Sequence, residues 1–212
     1  MLQPAVPSCD QCALGACPPC RYKPRAIDRG ERLWAQGDQP AAVIFVKEGV
    51  LGLSATDANG RELSAGVRGP RSMLGLEGLS QQPARSSVVA LTPAVICSLP
   101  ATEVRTNLSL REATTLLDLA LDELAQSARD AALRAGPAIS RVARFILDYG
   151  ALCVPGARAP FSKRHIAELL DLRAETMSRS LRALADAGII TPGLRVCDEA
   201  ALEAVAQGAS LS

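Results

Sequence analysis

The sequence predicts an α+β chain in three parts: an N-terminal β-roll of the jelly-roll kind, a long helix suited to dimerisation, and a C-terminal winged helix-turn-helix. Three observations predict it. Short β-like runs punctuated by glycines fill residues 26–99. A narrow leucine and alanine stripe then repeats at alternating spacings of four and three over 110–135, and two short amphipathic segments joined by Asp171-Leu172-Arg173 precede a Pro192-Gly193 turn. The implied parts are a cysteine-rich arm (1–25), the β-roll (26–106), the dimerisation helix (107–136) and the winged helix-turn-helix (137–212). A chain of 212 residues, 48% hydrophobic and 21% charged, builds such cores without disulfide or metal staples.

The first part has no helix or strand periodicity. Cys9, Cys12, Cys17 and Cys20 fall within twelve residues of a Pro/Gly/Ala-rich arm, which needs something to order it. Strands are expected at 32–35, 43–46, 50–54, 62–67, 87–91 and 94–99, the last carrying Cys97. Asn59-Gly60 between two of them predicts a type I′ hairpin with φ > 0 at both residues.

Beyond Pro100 the pattern turns helical. Ser109 and Glu112 have the spacing of a capping box, which starts a helix near Leu110. Leu110, Thr114, Leu117, Leu121, Leu124, Ala128, Ala131 and Ala135 then form a coiled-coil seam. At about 26 residues and roughly 39 Å, the helix is longer than one face of a small barrel, which favours a partner copy over the chain's own roll. Gly136-Pro137 ends it.

Helices are expected at 139–149, 162–170 and 174–187, followed by a small wing across Pro192-Gly193. On the last helix Glu175, Ser178, Arg179 and Arg182 sit at i, i+3, i+4 and i+7 and share one face, while Met177, Leu181 and Leu184 occupy the other. Arginine can pair with guanine O6 and N7, glutamate can accept from cytosine N4, and serine serves either, so this face suits the major groove of double-stranded DNA. The bland alternative for Glu175 and Arg179 is a solvated i,i+4 ion pair. Ser162 and Lys163 are the expected phosphate contacts, and His165 is expected at the surface. The whole chain has 23 basic and 22 acidic residues, yet 136–196 holds nine basic against five acidic. The neutral total therefore hides a local basic patch.

Composition excludes several classes. A single histidine disfavours His-rich metal sites and His-based hydrolytic triads, because it must serve every such role. The start MLQPAVPSCDQC lacks the basic and apolar regions of a secretory signal. The longest uncharged stretch, 86–102, is broken by Pro93 and Pro100, so no membrane span is expected. A cytoplasmic chain is implied, in which thiols stay reduced and clustered cysteines hold metal. Two C-x2-C pairs at Cys9, Cys12, Cys17 and Cys20 would suit a zinc knuckle, with Cys97 an unrelated buried thiol. A thiol-disulfide enzyme would need a βαβ context that is missing, so no enzymatic activity is expected. Cys153 and Cys197 fit no scheme.

The order of parts resembles the CRP/FNR transcriptional regulators over nearly the whole chain. Gly30, Leu33, Gly37-Asp38, Gly49, Gly60 and Gly75 match the glycine punctuation of that family's β-roll, and Glu175-Thr176-Met177-Ser178-Arg179 is similar to the E-x-x-S-R motif of its FNR branch. The resemblance implies a homodimer, a cyclic-nucleotide-binding-like roll, TTGAT-like half-sites in an inverted pair, and RNA polymerase as a partner. It also implies a [4Fe-4S] cluster that senses oxygen, nitric oxide or redox state. Its ligands would be Cys9, Cys12, Cys97 and a third arm cysteine, Cys20 or alternatively Cys17. Two departures concern the helix-turn-helix: Asp171 stands at the usual glycine, and Arg173 at the usual Thr or Ser cap. Arg85-Ser86 resembles the phosphate-binding pair of the cyclic-nucleotide branch, but Gly75-Leu76-Glu77 lacks that branch's glutamate directly after the glycine. Arg85 is therefore expected in an ion pair of the roll. A haem sensor is disfavoured because His165 lies outside the roll.

Overall fold

A computed structural model describes residues 23–107, 109–152 and 162–210. The chain divides into two compact units, Met1–Ala128 and Arg129–Ser212. Among the described residues of the first, eight strands form two four-stranded antiparallel sheets. One has the order β1 (Lys23–Ile27), β8 (Ala94–Pro100), β3 (Ala42–Glu48), β6 (Met73–Leu74). The other has the order β2 (Arg32–Trp34), β7 (Ser87–Ala90), β4 (Leu51–Thr56), β5 (Glu62–Arg68). Side chains of both sheets share one core, with Ile27, Ile44, Val46 and Ile96 from the first and Leu51, Leu53, Val88 and Ala90 from the second.

The outer face of the first sheet is also covered. Val43, Phe45, Cys97 and Leu99 pack there against Val104 of α1 (Ala101–Asn107) and Leu116 of α2 (Leu110–Ala132). Apolar cover on both faces explains why 43–46 is a continuous apolar run instead of an alternating one. The β3–β4 turn depends on Gly49 at φ +83, where a Cβ would fall 2.5 Å from the Pro93 carbonyl oxygen.

The 59–60 hairpin differs from the expected type I′ turn. Gly60 donates to the Asp57 carbonyl, and of the central pair only Gly60 has positive φ. The Asp57 carboxylate accepts from the Asn59 and Arg61 amides and holds the alternative turn. Strand β1 was absent from the expected set because Lys23-Pro24-Arg25 has no apolar alternation. As an edge strand it tolerates a proline.

The capping box at the start of α2 is present, with Ser109 N–H donating to Glu112 Oε2 (2.9 Å) and Glu112 N–H to Ser109 Oγ (3.3 Å). The helix stops at Ala132 and not at Ala135, because Leu133 turns into the core and Arg144 Nη1 caps the carbonyls of Ala132 (2.8 Å) and Ala135 (3.0 Å). Ala135 therefore lies beyond the helical seam.

In the second unit α3 (Ala138–Tyr149) is the scaffold for α5 (Ala174–Asp186) and α6 (Glu199–Ala206), while α4 (Lys163–Leu169) packs on α5. Helix α6 was not expected. Its signals are the Asp198 cap, which accepts from Ala201 N–H, and the buried Leu202, Val205 and Ala206 at helical spacing. The wing reduces to one bridge between Ile190 and Val196, and Leu194, not Gly193, takes the positive φ in its turn. Among the described residues no helix is long and apolar enough to cross a membrane.

Candidate DNA-reading surface and thiolate site

Helix α4 begins at Ser162, whose Oγ accepts from His165 N–H (3.2 Å) and also meets His165 Nδ1 (3.0 Å). Lys163 and His165 are exposed in the first turn, beside amides that a phosphate can meet. Asp171 ends this helix at φ +49, the left-handed conformation usually given to glycine, and Leu172 N–H reaches back to the Ala167 carbonyl (2.9 Å). Asp171 thus performs the glycine's geometric task. The orphan carbonyls of the turn are met by two arginines. Arg141 Nη1 donates to Leu170 (3.3 Å) while its Nε donates to Gly136 (2.8 Å), and Arg134 Nε donates to Leu169 (3.3 Å). Neither arginine was singled out in the sequence, because the carbonyls they meet belong to other elements.

Arg173 is the N-cap of α5 and gives no side-chain cap bond, as its replacement of Thr or Ser implies. Glu175, Ser178, Arg179 and Arg182 are all exposed, whereas Met177 and Leu184 are fully buried and Leu181 half-buried. The expected division of faces is therefore present. Arg179 and Glu175 form an exposed ion pair at 3.4 Å. Such a pair is worth less than about 1 kcal/mol, so it yields readily to a base edge. Exposed Lys163, Arg164, Arg173, Arg179, Arg182 and Arg195 accompany it in the same unit.

The two faces of α2 are equally distinct. Leu110, Leu117, Leu121 and Leu124 are 55–83% exposed, and Ala128 and Ala131 are exposed with them, while Leu116, Leu119 and Ala120 pack on the roll. The roll is covered without help from the seam.

Cys97 is buried in the apolar cluster of Val43, Phe45, Met73, Leu99, Val104 and Leu116. Cys9, Cys12, Cys17 and Cys20 lie outside the described residues. Among the described residues no three metal-ligating side chains come together. The pairing of β1 with β8 sets Pro24 opposite Cys97. Cys20 lies four positions and Cys17 seven positions before Pro24 in the sequence, reaches of at most about 14 and 25 Å.

A cavity of about 690 Å³ opens in the first unit beside Trp34, Gly75, Glu77, Arg85, Ser86 and Glu123. Gly75-Leu76-Glu77 and Arg85-Ser86 thus line one cavity, although the glutamate expected directly after Gly75 is replaced by Leu76. Arg85 is exposed there and has no ion pair among the described residues, contrary to its expected role.

Residues 24–109 match the model of the cyclic nucleotide-binding domain, and residues 140–205 match that of the Crp-like helix-turn-helix domain. The chain belongs to the CRP/FNR family of transcriptional regulators. It is 26% identical over 203 residues to the transcriptional activator protein FnrA of Stutzerimonas stutzeri, covering 87% of this chain and 81% of that one. Its fold is similar to that of FixK2 from Bradyrhizobium japonicum, with a TM-score of 0.75 at 23% identity over 90% of this chain and 100% of that one. A CRP-family transcriptional regulator of Thermus thermophilus gives 0.69 at 23% identity over 89% and 98%. CRP/FNR proteins are DNA-binding regulators and not enzymes, and the exposed face of α5 belongs to the matched helix-turn-helix.

Proposed function

We propose that this regulator is a cytoplasmic homodimer that senses oxygen, nitric oxide or redox state through a [4Fe-4S] cluster held by Cys9, Cys12, Cys97 and Cys20, with Cys17 as the alternative third arm ligand. The observation that supports the reading is the pairing of β1 with β8, which sets Pro24, four positions after Cys20 in the sequence, opposite the isolated Cys97. The donor set suits the group, because four thiolates satisfy one cluster. When bound, the cluster supplies a site sensitive to oxidants. The chain's own residues supply the connection to dimerisation. Cys97 and Leu116 share one apolar cluster, and the next residue, Leu117, belongs to the exposed seam.

With the seam paired to a second copy, two α5 helices read an inverted repeat of TTGAT-like half-sites. Glu175, Ser178, Arg179 and Arg182 meet base edges, and Ser162 and Lys163 hold phosphates. RNA polymerase is the partner of the bound dimer.

Anaerobic purification with absorbance, iron and sulfide assays tests the reading. About four irons and four sulfides per chain are expected, lost in Cys97→Ser. Colourless protein with one zinc per chain, indifferent to Cys97→Ser, would replace the cluster with a zinc knuckle of Cys9, Cys12, Cys17 and Cys20. A small-molecule or cyclic-nucleotide effector in the roll would then be the remaining signal.

A further inference from the structure

The β-roll cavity contains a charged group that neither DNA reading nor the cysteine arm uses. Arg68, at the end of β5, is 1% exposed, yet it is one of the residues that line the cavity. A guanidinium cannot shed its charge, so burial at this depth demands acceptors. Nη1 donates to the Val67 carbonyl (2.9 Å), and the other two nitrogens reach across to α2. Nε donates to Glu123 Oε1 at 2.7 Å, Nη2 lies 2.6 Å from the same oxygen, and Nη2 also donates to Ser127 Oγ (3.2 Å).

We propose that Arg68 is an anion receptor built into the cavity and that Glu123 is its tethered carboxylate ligand. The helix α2 thereby occupies the position in which a diffusible carboxylate would act. Glu123 and Ser127 are four residues apart on one face of α2, so a single guanidinium grips one turn of that helix. Leu124, in the same turn, also lines the cavity and is 68% exposed as part of the seam. Occupancy of Arg68 therefore sets the position of a seam leucine, whatever the cysteine arm binds.

The proposal predicts chemical rescue. In the full chain, Glu123→Ala leaves the buried guanidinium facing a gap of carboxylate size. Amide exchange over residues 116–127 is expected to accelerate about tenfold or more. Sodium acetate at about 100 mM should reverse most of that acceleration and raise Tm, while sodium chloride of equal ionic strength should not. Calorimetry should show acetate binding to Glu123→Ala but not to the wild type, nor to Arg68→Met/Glu123→Ala. Equal effects of acetate and chloride, or equal acetate binding in all three proteins, would overturn the proposal. If Glu123→Ala does not fold, Glu123→Gln preserves shape while removing charge. Faster exchange in α2 is then expected, with Glu77→Gln, which lines the same cavity, at the wild-type rate. Equal rates in the two variants would refute Arg68 as the receptor of Glu123.

Discussion

Leu116 and Leu117 are neighbours in sequence, about 100° apart around α2 and on different faces of it, and replacing each in turn separates the roll from the seam. Leu117 is 60% exposed and Leu116 only 6%. Burying a whole leucine is worth about 1.5–3 kcal/mol. The exposed part of Leu117, covered once from each protomer, therefore contributes roughly 2–4 kcal/mol per dimer, or about 30- to 700-fold in the dissociation constant. Leu117→Glu should weaken the dimer by at least the lower figure, because it also sets like charges against each other. Leu116→Ala empties a site shared with Cys97 and Val104 and should cost about 2–5 kcal/mol of folding stability. Sedimentation equilibrium and denaturant unfolding of anaerobically prepared protein read the two effects separately. An unchanged dissociation constant in Leu117→Glu, or a loss of the same quantity in both variants, refutes the assignment of faces.

Three further outcomes follow from the second unit. Arg179→Ala should lose about 1–3 kcal/mol of preference for the operator over scrambled DNA at fixed salt, with non-specific affinity almost unchanged; retained preference removes Arg179 from base reading. Arg141→Met uncaps the helix-turn-helix turn and should lower specific affinity about tenfold more than non-specific affinity, whereas an equal fall would make Arg141 a stability residue only. The third concerns Asp148, which keeps an exposed surface but has its carboxyl pKa raised, first by burial and then by Asp130, against the lowering pull of Arg129 and Arg144. A carboxyl that binds its proton more tightly when folded makes stability fall as pH rises from its unfolded to its folded value. The Tm advantage of Asp148→Asn over the wild type should therefore grow as pH rises from about 3.5 through that window and then level. A constant difference rejects this account.

Much of the candidate DNA-reading surface was legible because it depends on spacing within one helix. Glu175, Ser178, Arg179 and Arg182 are exposed and Met177 and Leu184 buried, as a period of 3.6 demands. The support behind that surface was not legible. Arg141 meets Leu170 across 29 residues and Arg134 meets Leu169 across 35, and no local pattern announces such bonds. The same division holds in the roll. Glycines and apolar runs marked six strands, while β1 carried no signal because its place depends on β8.

By itself, the sequence determined what acts over a few residues: strand and helix positions, the Ser109–Glu112 capping box, the two faces of α2 and α5, and the concentration of basic residues in the C-terminal part. Local propensity and side-chain periodicity are encoded within each segment. Only the tertiary structure decided that the exposed leucines are spare to the roll, that Asp171 takes the left-handed turn, that Pro24 pairs opposite Cys97, and that Arg68 grips Glu123. Each depends on which distant segments share a boundary and on the need to pair every buried polar group. That need is met by whichever residues the finished fold brings within reach.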